Sequence, residues 1–142
     1  MLVKPIDISV VVPVYNEYES LPELEQWIDR VMKANKFSYQ LILIDDGSSD
    51  TSWEVIEQLI EKNDSVLGLR FRRNYGKSAA LYCGFDEAQG EVVITMDADL
   101  QDSPDEIPAL YKMIVEEGYD LVSGWKKERH DPAGKRWPSK FY

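Results

Sequence analysis

Apolar residues along this chain follow two alternating patterns. The first is continuous and rich in β-branched residues: Ile8–Val14 (ISVVVPV), Gln40–Asp45 (QLILID), Ser65–Phe71 (SVLGLRF) and Glu91–Asp97 (EVVITMD). Runs of this kind predict strands covered on both faces. The second pattern returns every three or four residues and predicts helices. It comprises Leu21, Leu24, Trp27, Ile28, Val31 and Met32, then Trp53, Ile56, Leu59 and Ile60, and later Ile107, Leu110, Ile114 and Val115. Residues Ser78 to Ala88 fill a further helical slot between the third and fourth strands. Ser20-Leu21-Pro22-Glu23 reads as a capping box with proline in the first turn, Thr51 to Glu54 as a cap for the second helix with Asp50 as the alternative capping residue, and Ser103 to Glu106 as a cap for the last. Tyr119–Gly124 (YDLVSG) predicts a fifth strand.

Strand-helix alternation with buried strands predicts an α/β/α sandwich around a mostly parallel central sheet. Ligands of such sheets bind at the carboxyl ends of the strands, where the winding reverses. Each polar cluster in this chain follows such an end. With 142 residues, the chain is read as a single domain, 1–142. The basic, aromatic final segment KRWPSKFY lacks a polar tail, which leads us to expect the N-terminal part of a longer protein, cut short at its C-terminal end.

Charge refines this picture. The net charge of −10 argues against nucleic acid as a partner. Yet ten of the sixteen basic residues lie in two short segments, Arg70 to Lys77 and Lys126 to Lys140, a distribution suited to a local anion. Cys83 is the only cysteine, so no internal disulfide forms and a reducing compartment is expected. Lys4, Pro5 and Asp7 interrupt the first apolar stretch too early for a signal peptide, and no apolar run reaches the ~18 residues of a membrane helix.

The acidic cluster in MDADLQDSP (96–104) carries the most chemistry. Taken as extended strand, Asp97 and Asp99 project to the same side with Gln101 nearby, an oxygen set suited to Mg²⁺ or Mn²⁺. Capping by Asp102 or Ser103 accounts for one of the three aspartates. An EF-hand starting at Asp97 is excluded because its sixth position is Asp102, not glycine. Gly76-Lys77-Ser78 resembles the tail of a P-loop, but the required earlier glycine is Phe71. What remains there is a basic loop opening a helix, a place for anions. The loops YNEYES (15–20) and DDGSSDT (45–51) contain turn formers, with more polar groups than turns require.

Together VVPVYNE (11–17), LIDDGSSDTS (43–52), RRNYGKSAAL (72–81) and MDADLQDSP (96–104) resemble the family-2 inverting glycosyltransferases of GT-A fold. DADLQD, RNYGKSAAL and DPAGKRWPSKFY resemble the branch that transfers a hexose to polyprenyl or dolichyl phosphate. The resemblance implies a UDP- or GDP-hexose donor held by Pro13, Tyr15, Glu17, Asp46, Arg73, Lys77 and Asp97. It implies Asp97, Asp99 and Gln101 as metal ligands, the two aspartates being the catalytic pair. It places Lys126, Arg136 and Ser139 at the acceptor phosphate. It further implies a cytoplasmic protein at the inner face of the membrane, making membrane contact through segments beyond this chain.

The chemistry is coherent with these residues. A departing diphosphate accumulates charge that a divalent ion stabilises. A sugar hydroxyl acceptor would need a general base, whereas a lipid phosphate is already ionised and needs only cations to orient it. Three other functions remain open at this level. A family-2 transferase building polysaccharide would carry a downstream acidic base. A nucleotidyltransferase would show a glycine-rich loop where this chain has YNEYES. A non-catalytic nucleotide-sugar-binding module would be indifferent to metal.

Overall fold

The computed structural model describes residues 5–117. They form β1 (Ile6–Val14), α1 (Leu21–Ala34), β2 (Tyr39–Asp45), α2 (Ser52–Lys62), β3 (Val66–Arg70), α3 (Lys77–Glu87) and β4 (Gly90–Thr95). A short 3₁₀ turn, Pro104–Glu106, then leads into α4 (Ile107–Glu117). The strands make one parallel sheet in the order β3-β2-β1-β4. The expected fifth strand lies outside the described residues. None of the described helices is long and apolar enough to cross a membrane.

Continuous apolar runs are needed because both faces of the sheet are covered. Ile8, Val10, Val12 and Val14 of β1 pack with Leu41 and Leu43 of β2 and with Val92 and Ile94 of β4. Their partners are Leu24, Ile28 and Met32 of α1, Ile56 and Leu59 of α2, and Ile107 and Leu110 of α4. The intervening positions Val11, Ile42 and Ile44 face Ala80 of α3 in a smaller cluster. Period-two alternation thus serves two cores from one strand. On the α3 side the approach is close: a Cβ on Gly84 would stand 2.4 Å from Cγ1 of Val11.

Pro13 sits inside the central strand, where a proline ordinarily breaks a ladder. Val11 accepts a bond from the Met96 amide, while Val14 accepts one from the Asp46 amide. Backbone groups of a strand alternate in direction, so Pro13 turns the side without an N–H toward β4. The β1–β4 pairing has already ended at Val11–Thr95. The missing donor therefore falls where the two strands separate.

Two capping expectations are corrected. Ser20 makes no side-chain cap to α1, and its backbone is helical (φ −85°, ψ −19°) rather than extended. Its hydroxyl donates instead to the Ala98 carbonyl, at 2.6 Å. Thr51 likewise makes no side-chain cap to α2. Asp50 does that work, its Oδ1 accepting from the Ser52 amide at 2.8 Å. Ser103 behaves as expected, accepting from the Asp105 amide.

Candidate active site

The separation of β1 from β4 opens a cavity of about 190 Å³. Sheet order reverses between these two strands, so the cavity occupies the switch point where parallel sheets bind ligands. It is lined by Pro13, Val14, Tyr15 and Glu17 after β1, Asp46 after β2, Lys77 at the start of α3, and Asp97, Ala98 and Asp99 after β4. Seven residues singled out from sequence thus converge: Pro13, Tyr15, Glu17, Asp46, Lys77, Asp97 and Asp99. Arg73 is exposed and outside the lining, its guanidinium 5.8 Å from the Tyr75 ring centroid. Gln101 is also exposed and outside it. Lys126, Arg136 and Ser139 lie outside the described residues.

The acidic loop is built differently from the extended segment expected. β4 stops at Thr95, and Ala98-Asp99 form a turn followed by Leu100 at φ 67°. The aspartates are therefore set by a folded loop rather than by strand alternation. Asp102 is buried, and its Oδ2 accepts from the Asp97 amide at 2.8 Å. Asp99 Oδ1 accepts from the Gln101 amide at 3.2 Å. The third aspartate thus shapes the loop, while Asp97 and Asp99 line the cavity. The Ser20 hydroxyl anchors the same loop to α1 from 78 residues away, a contact without a local sequence signal.

Two further loops are wired together. Asn16, at φ 53°, accepts from the Ser49 and Asp50 amides through Oδ1, and its own amide donates to Ser48 Oγ at 2.9 Å. The Glu17 amide donates to the buried hydroxyl of Ser52. Tyr15 and Glu17 are thereby held against the loop after β2. In that loop Asp45 Oδ1 accepts from the Ser48 amide. Asp46 reaches the other way, accepting from the Tyr75 amide at 2.8 Å and the Gly76 amide at 3.1 Å. Buried almost completely, Asp46 clamps the loop that leads into α3.

Lys77, delivered by that clamp, places Nζ 2.7 Å from Asp97 Oδ1. Among the described residues the lining contains four carboxylates (Glu17, Asp46, Asp97 and Asp99) and a single cation, Lys77. No group of three His, Cys, Asp or Glu among the described residues is arranged to hold a metal ion. Two loop carboxylates with room beside them suit a hard divalent cation, whose remaining positions go to phosphate oxygens and water. The donor set therefore fits Mg²⁺ or Mn²⁺ accompanied by a phosphate ligand.

Comparison with known proteins identifies the family and the fold. Residues 9–142 match the family model described as "Glycosyl transferase family 2". An undecaprenyl-phosphate 4-deoxy-4-formamido-L-arabinose transferase from Pseudomonas syringae is 45% identical over 135 residues, covering 94% of this chain and 40% of the relative. The protein of the same name from Pseudomonas aeruginosa is 44% identical over 139 residues, covering 96% and 41%. The chain thus spans about 40% of the length of the curated relatives it matches. Among solved structures, a Pyrobaculum calidifontis mannosyltransferase in complex with GDP-Man and Mn²⁺ superposes with TM-score 0.64 at 22% identity, over 80% of this chain and 33% of that one. S. aureus TarS in complex with UDP gives 0.60 at 19% identity, over 77% and 32%. The four-stranded parallel sheet is GT-A-like.

Proposed function

This chain belongs to glycosyl transferase family 2, and we propose that its cavity binds a nucleotide-diphosphate sugar whose glycosyl group passes to a polyprenyl phosphate with inversion. The observation that carries this reading is the charge of the lining. Among the described lining residues, four carboxylates against one ammonium would repel a diphosphate. A dication held by Asp97 and Asp99, with Gln101 at the edge of the same loop, offsets most of that excess and sets positive charge directly against the phosphates. Bound there, Mg²⁺ or Mn²⁺ supplies charge stabilisation for the leaving diphosphate.

The chain's own residues do the remainder. Tyr15 and Pro13 offer an apolar wall to the nucleotide, with Glu17 and the Asp46 region beside it. Lys77 and Arg73 supply positive charge on the phosphate side. Lys126, Arg136 and Ser139 are proposed to orient the acceptor phosphate, which needs no base because it is already ionised. The reaction is placed at the cytoplasmic face of a membrane, where such a lipid presents its phosphate.

The sugar expected from the sequence was a hexose, but the relatives are named for 4-deoxy-4-formamido-L-arabinose, a pentose. At 45% identity we favour that pentose class as the transferred group. The named acceptor, undecaprenyl phosphate, supports the lipid arm of the reading.

Calorimetric titration of UDP and GDP, with Mn²⁺ and with chelator, tests the donor site. Metal-dependent binding that Asp99→Asn weakens about tenfold or more is expected. Binding indifferent to both metal and Asp99 would leave a non-catalytic binding module instead. Lys126→Ala combined with Arg136→Ala in the full-length enzyme should raise the KM for the lipid and leave nucleotide affinity unchanged. Unchanged lipid kinetics would remove those residues from the acceptor site.

A further inference from the structure

The Lys77–Asp97 pair joins two groups that the proposed function would give to different partners. Lys77 Nζ stands 2.7 Å from Asp97 Oδ1, and Lys77 is the one cation among the described residues of the lining. Neither partner is there by accident of a loose surface. Asp97 is fixed through its amide by Asp102, and Lys77 begins a helix whose entry loop is clamped by Asp46. A divalent ion would contact a carboxylate oxygen at about 2.0–2.2 Å. An ammonium and a dication cannot share that oxygen at those distances without strong repulsion. Lys77 therefore competes with a metal for Asp97 Oδ1. The lysine side chain is 59% exposed, so the pair is weak enough to exchange. A donor diphosphate offers the ammonium a more highly charged partner within the same cavity.

We propose that Lys77 is a stand-in cation that occupies Asp97 until the donor's phosphates draw it away, so that nucleotide and metal bind cooperatively. This inference rests on the reading of Asp97 and Asp99 as metal ligands. Its consequence is thermodynamic. Without nucleotide the metal competes with Lys77 and binds poorly. With nucleotide the lysine is already engaged and that competition disappears. By linkage the metal strengthens nucleotide binding by the same factor. Lys77 is thus a positioning residue that keeps the carboxylate neutralised and prevents the bare cavity from collecting free divalent ions.

The test is calorimetry of Mn²⁺ on the full chain, with and without UDP and with GDP in parallel, for wild type, Lys77→Met, Lys77→Arg and Asp99→Asn. Lys77→Met should bind Mn²⁺ about tenfold more tightly than wild type without nucleotide. The factor by which nucleotide enhances Mn²⁺ binding should shrink correspondingly. Lys77→Arg, which keeps the charge, should leave free Mn²⁺ binding weak. If Lys77→Met gains no affinity for Mn²⁺, or gains it with undiminished enhancement, the stand-in role is overturned. The metal reading survives that result provided nucleotide still brings Mn²⁺ to wild type and not to Asp99→Asn. If Mn²⁺ binds none of these proteins under any condition, both fall together.

Discussion

At Gly47 the chain turns with φ 72°, and a Cβ there would lie 2.3 Å from the backbone carbon of Arg73. This one residue lets the loops after β2 and β3 touch, and that contact lets Asp46 reach the Tyr75 and Gly76 amides. Gly47→Ala should therefore lose about 1–3 kcal/mol of stability through strain and collision. Urea unfolding would measure it, and nucleotide affinity should fall with it because Lys77 is no longer delivered. Asp46→Asn is the gentler probe. It keeps the size and one acceptor oxygen, which can still serve the Tyr75 amide without charge assistance, but puts an NH2 in place of the oxygen nearest the Gly76 amide, so that bond is lost. Asp46 was expected from the sequence to hold nucleotide. Its carboxylate accepts from protein amides and also lines the cavity, so it helps to build the wall.

Between elements, the decisive distances are those that hold α1 and α3 to the sheet. The Ser20 hydroxyl ties the start of α1 to the Ala98 carbonyl. Ser20→Ala should lower stability by only about 1 kcal/mol, the usual worth of a neutral hydrogen bond. Its effect on Mn²⁺-dependent nucleotide binding should be larger, since the loop bearing Asp97 and Asp99 loses an anchor. Equal losses in the two measurements would make the contact merely structural. Gly84 lets α3 rest against Val11 and Ile44. Gly84→Val would force the helix outward, with an expected loss of about 1–3 kcal/mol from overpacking, read as a lower denaturant midpoint.

Across the whole molecule, stability and site are separable. Far from the cavity, at the opposite end of β2, Tyr39 donates to Asp29 at 2.7 Å and accepts from Asn63 at 2.9 Å. Burial raises the Tyr39 hydroxyl well above its ordinary 10.0, and the Asp29 carboxylate raises it further, while Asn63 pulls it down. A raised folded pKa contributes stability that is fully present below the unfolded value and is lost as pH climbs past it. The alkaline limb of stability should therefore begin to fall above about pH 10. Tyr39→Phe should flatten that limb and leave nucleotide affinity untouched. Asp29 shows the opposite sign: burial would raise it, but bonds from Tyr39 and Lys33 together hold it below its ordinary 3.8. Its contribution is present above pH 3.8 and disappears as the solution is acidified through that range.

Strand and helix order, the parallel two-faced sheet and the placement of polar clusters after strand ends were all legible from the sequence. Continuous β-branched runs and helical stripes record burial directly, because a residue's neighbours along the chain share its environment. Seven residues named through the family resemblance line one cavity, because the loops carrying those motifs sit at strand ends that the parallel sheet brings together. The folded loop carrying Asp97 and Asp99, the Ser20 anchor, the Asp46 clamp and the Lys77–Asp97 pair were not legible. The last three join groups 20 to 78 residues apart, and a short polar side chain has the same local signature whether it caps its own helix or bonds across the fold. Only the packing of α1 and α3 against opposite faces of the sheet decides which partner it meets.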